Sequence, residues 1–338
     1  MSDKPVKAIS LLSGGLDSIL ATRIVMDQGV DVLALQFISP FFGASKRGHE
    51  KELEDFYRDI YKMKVRVIDV SHEYLHVLGN PKYGYGKNFN PCIDCKIFLF
   101  KRALEIMKEE GAEFLITGEV IGQRPMSQRR DAMNIISKQM GARERLLRPL
   151  CAKSMPPTLP EEKGWVDREK LFGFSGRSRK PQMALAQELG IADYPSPAGG
   201  CALTDPIQAK RIERYFEDTK EDERNDLDVR LLLKGRPFCF PGGSYLTMGR
   251  NEGENKVVYA MRQEGDEVVK AIGPAGPTGL FRPAPGMDER ALAAAVIVRY
   301  CPKAIPDQEV GFGPDDETVT TTICANRPAD ELLESWRR

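Results

Sequence analysis

The string Ser13-Gly-Gly-Leu-Asp-Ser18 combines residue types that can hold an anion. Small residues in a tight turn let successive backbone N–H groups converge on one oxyanion, and the partial positive charge of a following helix N-terminus adds to them. The string has no lysine after its glycines, unlike a Walker A loop, and lacks the Gly-x-Gly-x-x-Gly spacing of a dinucleotide fingerprint. In Asn90-Pro-Cys-Ile-Asp-Cys-Lys96 two thiols, Cys92 and Cys95, stand just before a helical pattern. Such a pair can ligate one metal, and a helix N-terminus favours the thiolate that metals and electrophiles need. A third thiol, Cys201, follows two glycines in Ser196-Pro-Ala-Gly-Gly-Cys201 and reads as an exposed sulfur in a flexible loop. Polar residues also gather in Gly118-Glu-Val-Ile-Gly-Gln-Arg-Pro-Met-Ser-Gln128, where a predicted strand ends.

These groups need elements to position them. Runs of β-branched and aliphatic residues predict strands over Ala8–Leu12, Val32–Phe37, Val65–Val70, Phe114–Thr117 and Leu146–Leu150. Three-and-four spacing of apolar residues predicts helices over Ser18–Val25, Glu50–Met63, Lys96–Glu110, Gln128–Met140 and Lys180–Leu189. The alternation specifies an α/β fold with a doubly wound parallel sheet, whose ligand crevice lies at the carboxyl ends of the strands. A further helix over Pro206–Phe216 runs into the charged stretch 217–226, which places a domain boundary there: 1–218 and 219–338. Beyond it, Gly- and Pro-rich turns at Pro241–Ser244 and Gly273–Gly279, short strands and a helix over Glu289–Tyr300 predict a smaller α+β domain.

Ser-Gly-Gly-x-Asp-Ser after a first strand resembles the PP-loop of the N-type ATP pyrophosphatases. The resemblance implies that Ser13, Gly14, Gly15 and Ser18 hold phosphate oxygens of ATP, that Asp17 stands near Mg2+ and the phosphates, and that Gln36 and Phe37 contact adenine through the main chain. Cys92, Cys95 and Cys201 fit the arrangement of PP-loop tRNA sulfurtransferases. In one branch such thiols hold a 4Fe-4S cluster with a free iron for sulfide; in another, a persulfide on one cysteine transfers the sulfur. Gly118, Glu119 and Gln123, with Ser127, Gln128 and Leu147-Arg-Pro-Leu150, are similar to segments of the tRNA 4-thiouridine synthetases, and Glu119 favours that side over the 2-thiouridylases. Those synthetases carry an RNA-binding region ahead of the PP-loop, for which this sequence leaves no room. Met248-Gly-Arg-Asn-Glu-Gly-Glu-Asn255 resembles a string of the NFACT RNA-binding domain, which makes Arg250 an RNA contact and the second domain the tRNA holder.

Composition narrows the classes further. The hydrophobic fraction of 41% and charged fraction of 29% exclude a collagenous or wholly disordered chain. Apolar runs are short and the start is polar, so the expected place is the cytoplasm, without a membrane. Seven cysteines there speak for thiols, ligands or reactive sulfurs rather than a disulfide framework. Formal charge is zero, yet 124–180 carries 14 basic against 6 acidic residues, and Arg177, Arg179 and Lys180 are the expected RNA contacts. Cys151, Cys239, Cys301 and Cys324 are expected to pack as small apolar side chains. The function expected from the resemblance is ATP-dependent tRNA thiolation of the 4-thiouridine type, with Asp17, Cys92, Cys95 and Cys201 catalytic. Partners are tRNA and a sulfur donor, sulfide or a cysteine desulfurase persulfide, with a homodimer allowed. Two alternatives stand beside it. One is a PP-loop enzyme acting on a small carboxylate, with structural zinc completed by a ligand such as Cys151; the other is an ATP-responsive RNA-binding protein without turnover.

Overall fold

Strand β1 (Lys7–Leu11) is buried on both faces, and its side chains alternate between two cores. Ala8 joins a core with Leu16, Ile19 and Leu20, while Ile9 and Leu11 join one with Phe100 and Leu104. A strand covered on both sides belongs in a parallel sheet flanked by helices. A computed structural model describes residues 5–194 and 200–337 of the chain, which divides into two units, 1–204 and 205–338.

In the first unit β1, β2 (Asp31–Ile38), β3 (Lys64–Asp69), β4 (Phe114–Thr117) and β5 (Leu146–Leu147) form one parallel sheet in the order β3-β2-β1-β4-β5. Ala8 pairs with Val32 on one side and Phe114 on the other, so the winding reverses between β1 and β4. Helices α1 (Leu16–Met26), α2 (Glu50–Tyr61), α3 (Ser71–Gly79), α4 (Cys92–Glu109), α5 (Arg130–Met140), α6 (Leu159–Glu162) and α7 (Lys180–Glu188) complete it. This is the expected doubly wound fold, with the PP-loop after β1 and the Gly118 loop after β4, both at the reversal where such sheets bind ligands.

Several boundaries shift from expectation by a few residues, and three of the shifts have a local reason. Helix α4 starts at Cys92 instead of Lys96, so the thiol pair is its first turn, entered from Pro91. Helix α5 starts at Arg130 because 122–128 closes into a turn, with Gly122 N donating to the Gln128 carbonyl at 2.6 Å. Strand β5 stops at Leu147, since Pro149 has no N–H to continue the ladder.

The second unit starts with α8 (Pro206–Asp218), earlier than the expected boundary. Asp205 caps that helix through Ile207 N and Gln208 N, and the Tyr215 hydroxyl bonds Asp228 at 3.2 Å in α9 (Asp226–Leu233), which ties α8 to the second unit. Strands β6 (Arg236–Cys239), β7 (Tyr245–Met248), β8 (Glu267–Ala271), β9 (Thr278–Arg282), β10 (Gln308–Gly313) and β11 (Thr321–Ala325) form an antiparallel sheet ordered β11-β10-β8-β9-β7-β6. Helix α10 (Glu252–Tyr259) follows β7, α11 (Arg290–Arg299) buries Ala293, Ala294 and Ile297 in the core, and α12 (Asp330–Trp336) adds Trp336. The expected α+β character holds. Cys239 and Cys301 are buried as anticipated, but Cys324 is exposed, because it lies on the outward face of edge strand β11. Among the described residues no helix is long and apolar enough to cross a membrane.

A Cβ added to Gly118 would lie 2.5 Å from the Asp17 carbonyl carbon and 2.6 Å from the Ser18 nitrogen, both backbone. Gly118→Ala is therefore expected to destabilise the protein by about 1–3 kcal/mol, read as a lower urea midpoint.

Candidate active site

The PP-loop is shaped by its own hydrogen bonds. Gly14 takes φ +82°, a left-handed conformation suited to glycine. Ser18 Oγ donates to the Gly15 carbonyl at 2.8 Å, Ser13 Oγ donates to Ser18 Oγ at 3.2 Å, and among the described residues no side chain caps the N-terminus of α1. Ser18 N already donates to the Gly15 carbonyl at 3.1 Å, so among the described residues the Leu16 and Asp17 N–H groups are the ones left to meet an anion. Beneath the loop, buried Ser10 and Thr22 share a 2.6 Å hydrogen bond, and Thr22 Oγ1 donates to the Ser18 carbonyl at 2.8 Å, which fixes α1 against β1.

Asp17 is held from the loops after β4 and before α7. Gln123 Nε2 donates to its Oδ2, Arg179 Nε lies 3.7 Å from the same oxygen, and Gln182 Nε2 supports Gln123 Oε1 at 2.8 Å. Burial raises the Asp17 carboxyl above its ordinary range, opposed by the Gln123 hydrogen bond and the charges of Arg179 and Arg124. Its Oδ1 is buried without a hydrogen-bond partner among the described residues. An orphaned carboxylate oxygen beside a phosphate-binding turn fits a magnesium ligand. Arg179, expected to face RNA, is instead turned to this carboxylate, whereas Arg177 and Lys180 are exposed and have no ion-pair partner among the described residues. Gln182 carries no motif; the only trace of it in the sequence is its place on the buried stripe of α7 with Leu185 and Ala186.

The three thiols share a cavity of about 230 Å³ with the PP-loop. Its lining includes Ser13, Asp17, Cys92, Cys95, Arg124 and Cys201. Gln36 and Phe37 at the end of β2, and Gly118 and Glu119 after β4, border it as well. Cys92 and Cys95 share one face of the first turn of α4 by their spacing; Asn90 Nδ2 donates to Cys92 Sγ at 3.1 Å, and the Tyr74 hydroxyl bonds Cys95. Burial pushes the Cys95 thiol up to about 11 and Cys201 up to about 12, with Cys92 adding like charge to Cys95, and Cys95 and Cys92 adding it to Cys201. Cys201 is accordingly half-buried beside the pocket rather than an exposed loop sulfur: Ala202 N donates to the Phe41 carbonyl at 2.8 Å and draws the segment in. Ser196 to Gly199 of its motif lie outside the described residues. Among the described residues no three His, Cys, Asp or Glu side chains are arranged to hold a metal ion. The donor set is nonetheless of the right kind for an iron–sulfur group: three sulfurs on one largely apolar cavity. Cys151 does not border the cavity and is no fourth ligand; it is buried and its thiol donates to the Glu119 carbonyl at 3.3 Å.

Glu119 is tied down by a buried ion pair. Its Oε2 accepts from Arg148 Nε at 3.0 Å, Arg148 Nη2 donates to Ser137 Oγ at 3.0 Å, and Lys96 Nζ lies 3.6 Å from Oε1. The side chains of Glu119 and Arg148 are 1% and 5% exposed. In the second unit Arg250 donates to the Gly235 carbonyl at 3.2 Å and Asn251 caps α10 through Glu254 N, so that string builds a helix start. Arg148→Met is expected to cost about 3–5 kcal/mol of stability, measured by urea unfolding, with most of the loss recovered in Arg148→Met/Glu119→Gln.

Residues 5–155 match a protein family described as Thiamine biosynthesis protein (ThiI). The chain is 30% identical over 133 residues to a probable tRNA sulfurtransferase of Thermococcus kodakarensis, a match covering 39% of this chain and 34% of that protein. It is 28% identical over 120 residues to the tRNA-specific 2-thiouridylase MnmA of Pelobacter propionicus, covering 33% of each. The matched segment thus spans about a third of the length of these relatives. A solved 4-thiouridine synthetase–RNA complex with bound ATP is similar at a TM-score of 0.39 and 21% identity, covering 68% of this chain and 52% of that one. The phosphate-binding turn, the strand-order reversal that carries it and the match to the ThiI family model fall on one segment, residues 5–155.

Proposed function

We propose that the protein is an ATP-dependent tRNA thiolase of the 4-thiouridine type, with sulfur delivered at Cys92, Cys95 and Cys201. The observation that carries this reading is that one cavity is bordered by both the PP-loop and all three thiols. Nucleotide activation by itself does not require three cysteines there. The names of the relatives, sulfurtransferase and 2-thiouridylase, support tRNA thiolation without favouring the 4-position.

In this reading the uridine carbonyl oxygen attacks the α-phosphorus of ATP, the bond to pyrophosphate breaks, and pyrophosphate leaves with the bonding electron pair. Sulfur then displaces the adenylated oxygen, which departs as AMP. The chain's part is positioning and charge stabilisation. Ser13, the backbone at Gly14 and Gly15, and Ser18 hold phosphate oxygens, and Asp17 would hold Mg2+ through its free Oδ1, with Gln123 and Arg179 fixing the carboxylate. The end of β2 at Gln36 and Phe37 would receive adenine. Cys92, Cys95 and Cys201 would hold a 4Fe-4S group, which when bound supplies an iron site for sulfide. Arg177 and Lys180, both exposed and without ion-pair partners among the described residues, would meet tRNA phosphates, which position without specifying sequence. Arg250 would do so from the second unit.

Purified without oxygen, the protein is expected to contain about four iron and four acid-labile sulfide per chain, lost in Cys92→Ala. Zinc alone, or no metal, would remove the cluster and leave transfer through a persulfide. Asp17→Ala is expected to lower tRNA-dependent AMP formation at least about 100-fold. Cys201→Ala should bind ATP normally and yield no thiolated tRNA; thiolation at the normal rate would refute the sulfur assignment.

A further inference from the structure

After β2 the chain makes a tight turn: Gly43 takes φ +68°, and a single helical turn, Ala44–Lys46, sends the Lys46 side chain back toward the PP-loop. Its Nζ lies 2.8 Å from the point where a Cβ on Gly14 would stand. Two further donors reach the same point at 3.1 Å, Gln36 Nε2 from β2 and the Tyr57 hydroxyl from α2. Tyr57 is 2% exposed, and burial pushes its hydroxyl up to about 12, so it stays a donor. Three elements therefore aim an ammonium, an amide and a hydroxyl at the first glycine of the phosphate-binding turn.

Lys46 makes no ion pair or side-chain hydrogen bond among the described residues, although most basic side chains nearby do, such as Arg47 with Asp69 at 2.8 Å. Burial alone acts on its ammonium and lowers it from its ordinary value. A partly desolvated cation with no counter-charge is unfavourable by itself. Beside a turn built for oxyanions, the missing counter-charge is an anion.

We propose that Lys46 is a ligand for the pyrophosphate portion of the nucleotide, set over Gly14 to hold the β- and γ-phosphates and the pyrophosphate that leaves. It rests on the reading of the loop as an ATP site and goes beyond the sequence motif, which holds no lysine. Because charge builds up on the departing pyrophosphate as the Pα–O bond breaks, the contact strengthens along the reaction, and AMP, which lacks these phosphates, does not use it.

The test is calorimetric titration of the full chain with Mg-pyrophosphate and, separately, with AMP, for the parent and for Lys46→Ala and Lys46→Arg. Lys46→Ala is expected to weaken pyrophosphate binding about tenfold or more, to leave AMP affinity unchanged, and to be rescued in large part by Lys46→Arg. Without ligand, Lys46→Ala should melt at or above the temperature of the parent, because it removes an unpaired cation; a merely structural lysine would lower it. Equal pyrophosphate affinity in parent and Lys46→Ala, or no pyrophosphate binding by the parent, would overturn the proposal. If pyrophosphate binding depends on Lys46 while no tRNA is thiolated, the anion site stands and the thiolase reading falls. If tRNA is thiolated at full rate by Lys46→Ala with unchanged pyrophosphate affinity, the thiolase stands and the ligand assignment falls.

Discussion

The site depends on a backbone contact that no side chain could enter: Gly118, at the end of β4, lies against the peptide linking Asp17 to Ser18. Neighbouring parallel strands with crossovers on opposite faces leave a crevice between their ends, and at this crevice the two loops touch main chain to main chain. The polar residues after β4 owe their positions to that approach. Gln123 reaches Asp17 because its loop starts where it does, and Glu119 is set against the cavity while Arg148 holds its other oxygen.

The same closeness brings sulfur to the nucleotide site. Cys92 and Cys95 occupy the first turn of α4, whose body packs on the sheet through Phe100 and Leu104, so their place is set by the helix and not by a loop. Cys201 comes from much later in the chain to the same cavity. Enclosed thiols with like-charge neighbours favour the protonated form. Whatever draws sulfur chemistry from them must supply positive charge locally.

Much of this is legible in the sequence, and the parts that are not share a cause. The strand pattern dictates the sheet because β-branched runs buried on both faces leave few alternatives, and Ser13 to Ser18 declare an anion site through residue type alone. Lys46, Gln182 and Tyr74 are not visible there as functional, and although Glu119 and Arg148 fall in segments the sequence marks, their pairing is not visible. Each acts through a neighbour distant in sequence, and none has a spacing that singles it out. Arg179 looks like a surface residue for the same reason: its carboxylate partner lies at the other end of the unit. Charge at 217–226 suggests one domain boundary, whereas the actual division obeys the packing of α8 on α9. Cys324 illustrates the converse, since nothing in its local sequence marks an edge strand.

The hydrogen bond between Ser10 and Thr22 lies below the site and touches no ligand position. It joins the end of β1 to the body of α1 beneath the loop, in a buried layer where water cannot compete. The loop's conformational entropy is consequently lost when the protein folds and not when a nucleotide arrives. An anion thus meets an ordered receptor, and binding at this turn can be fast and weakly dependent on loop rearrangement, while selectivity is left to the cations and thiols around it.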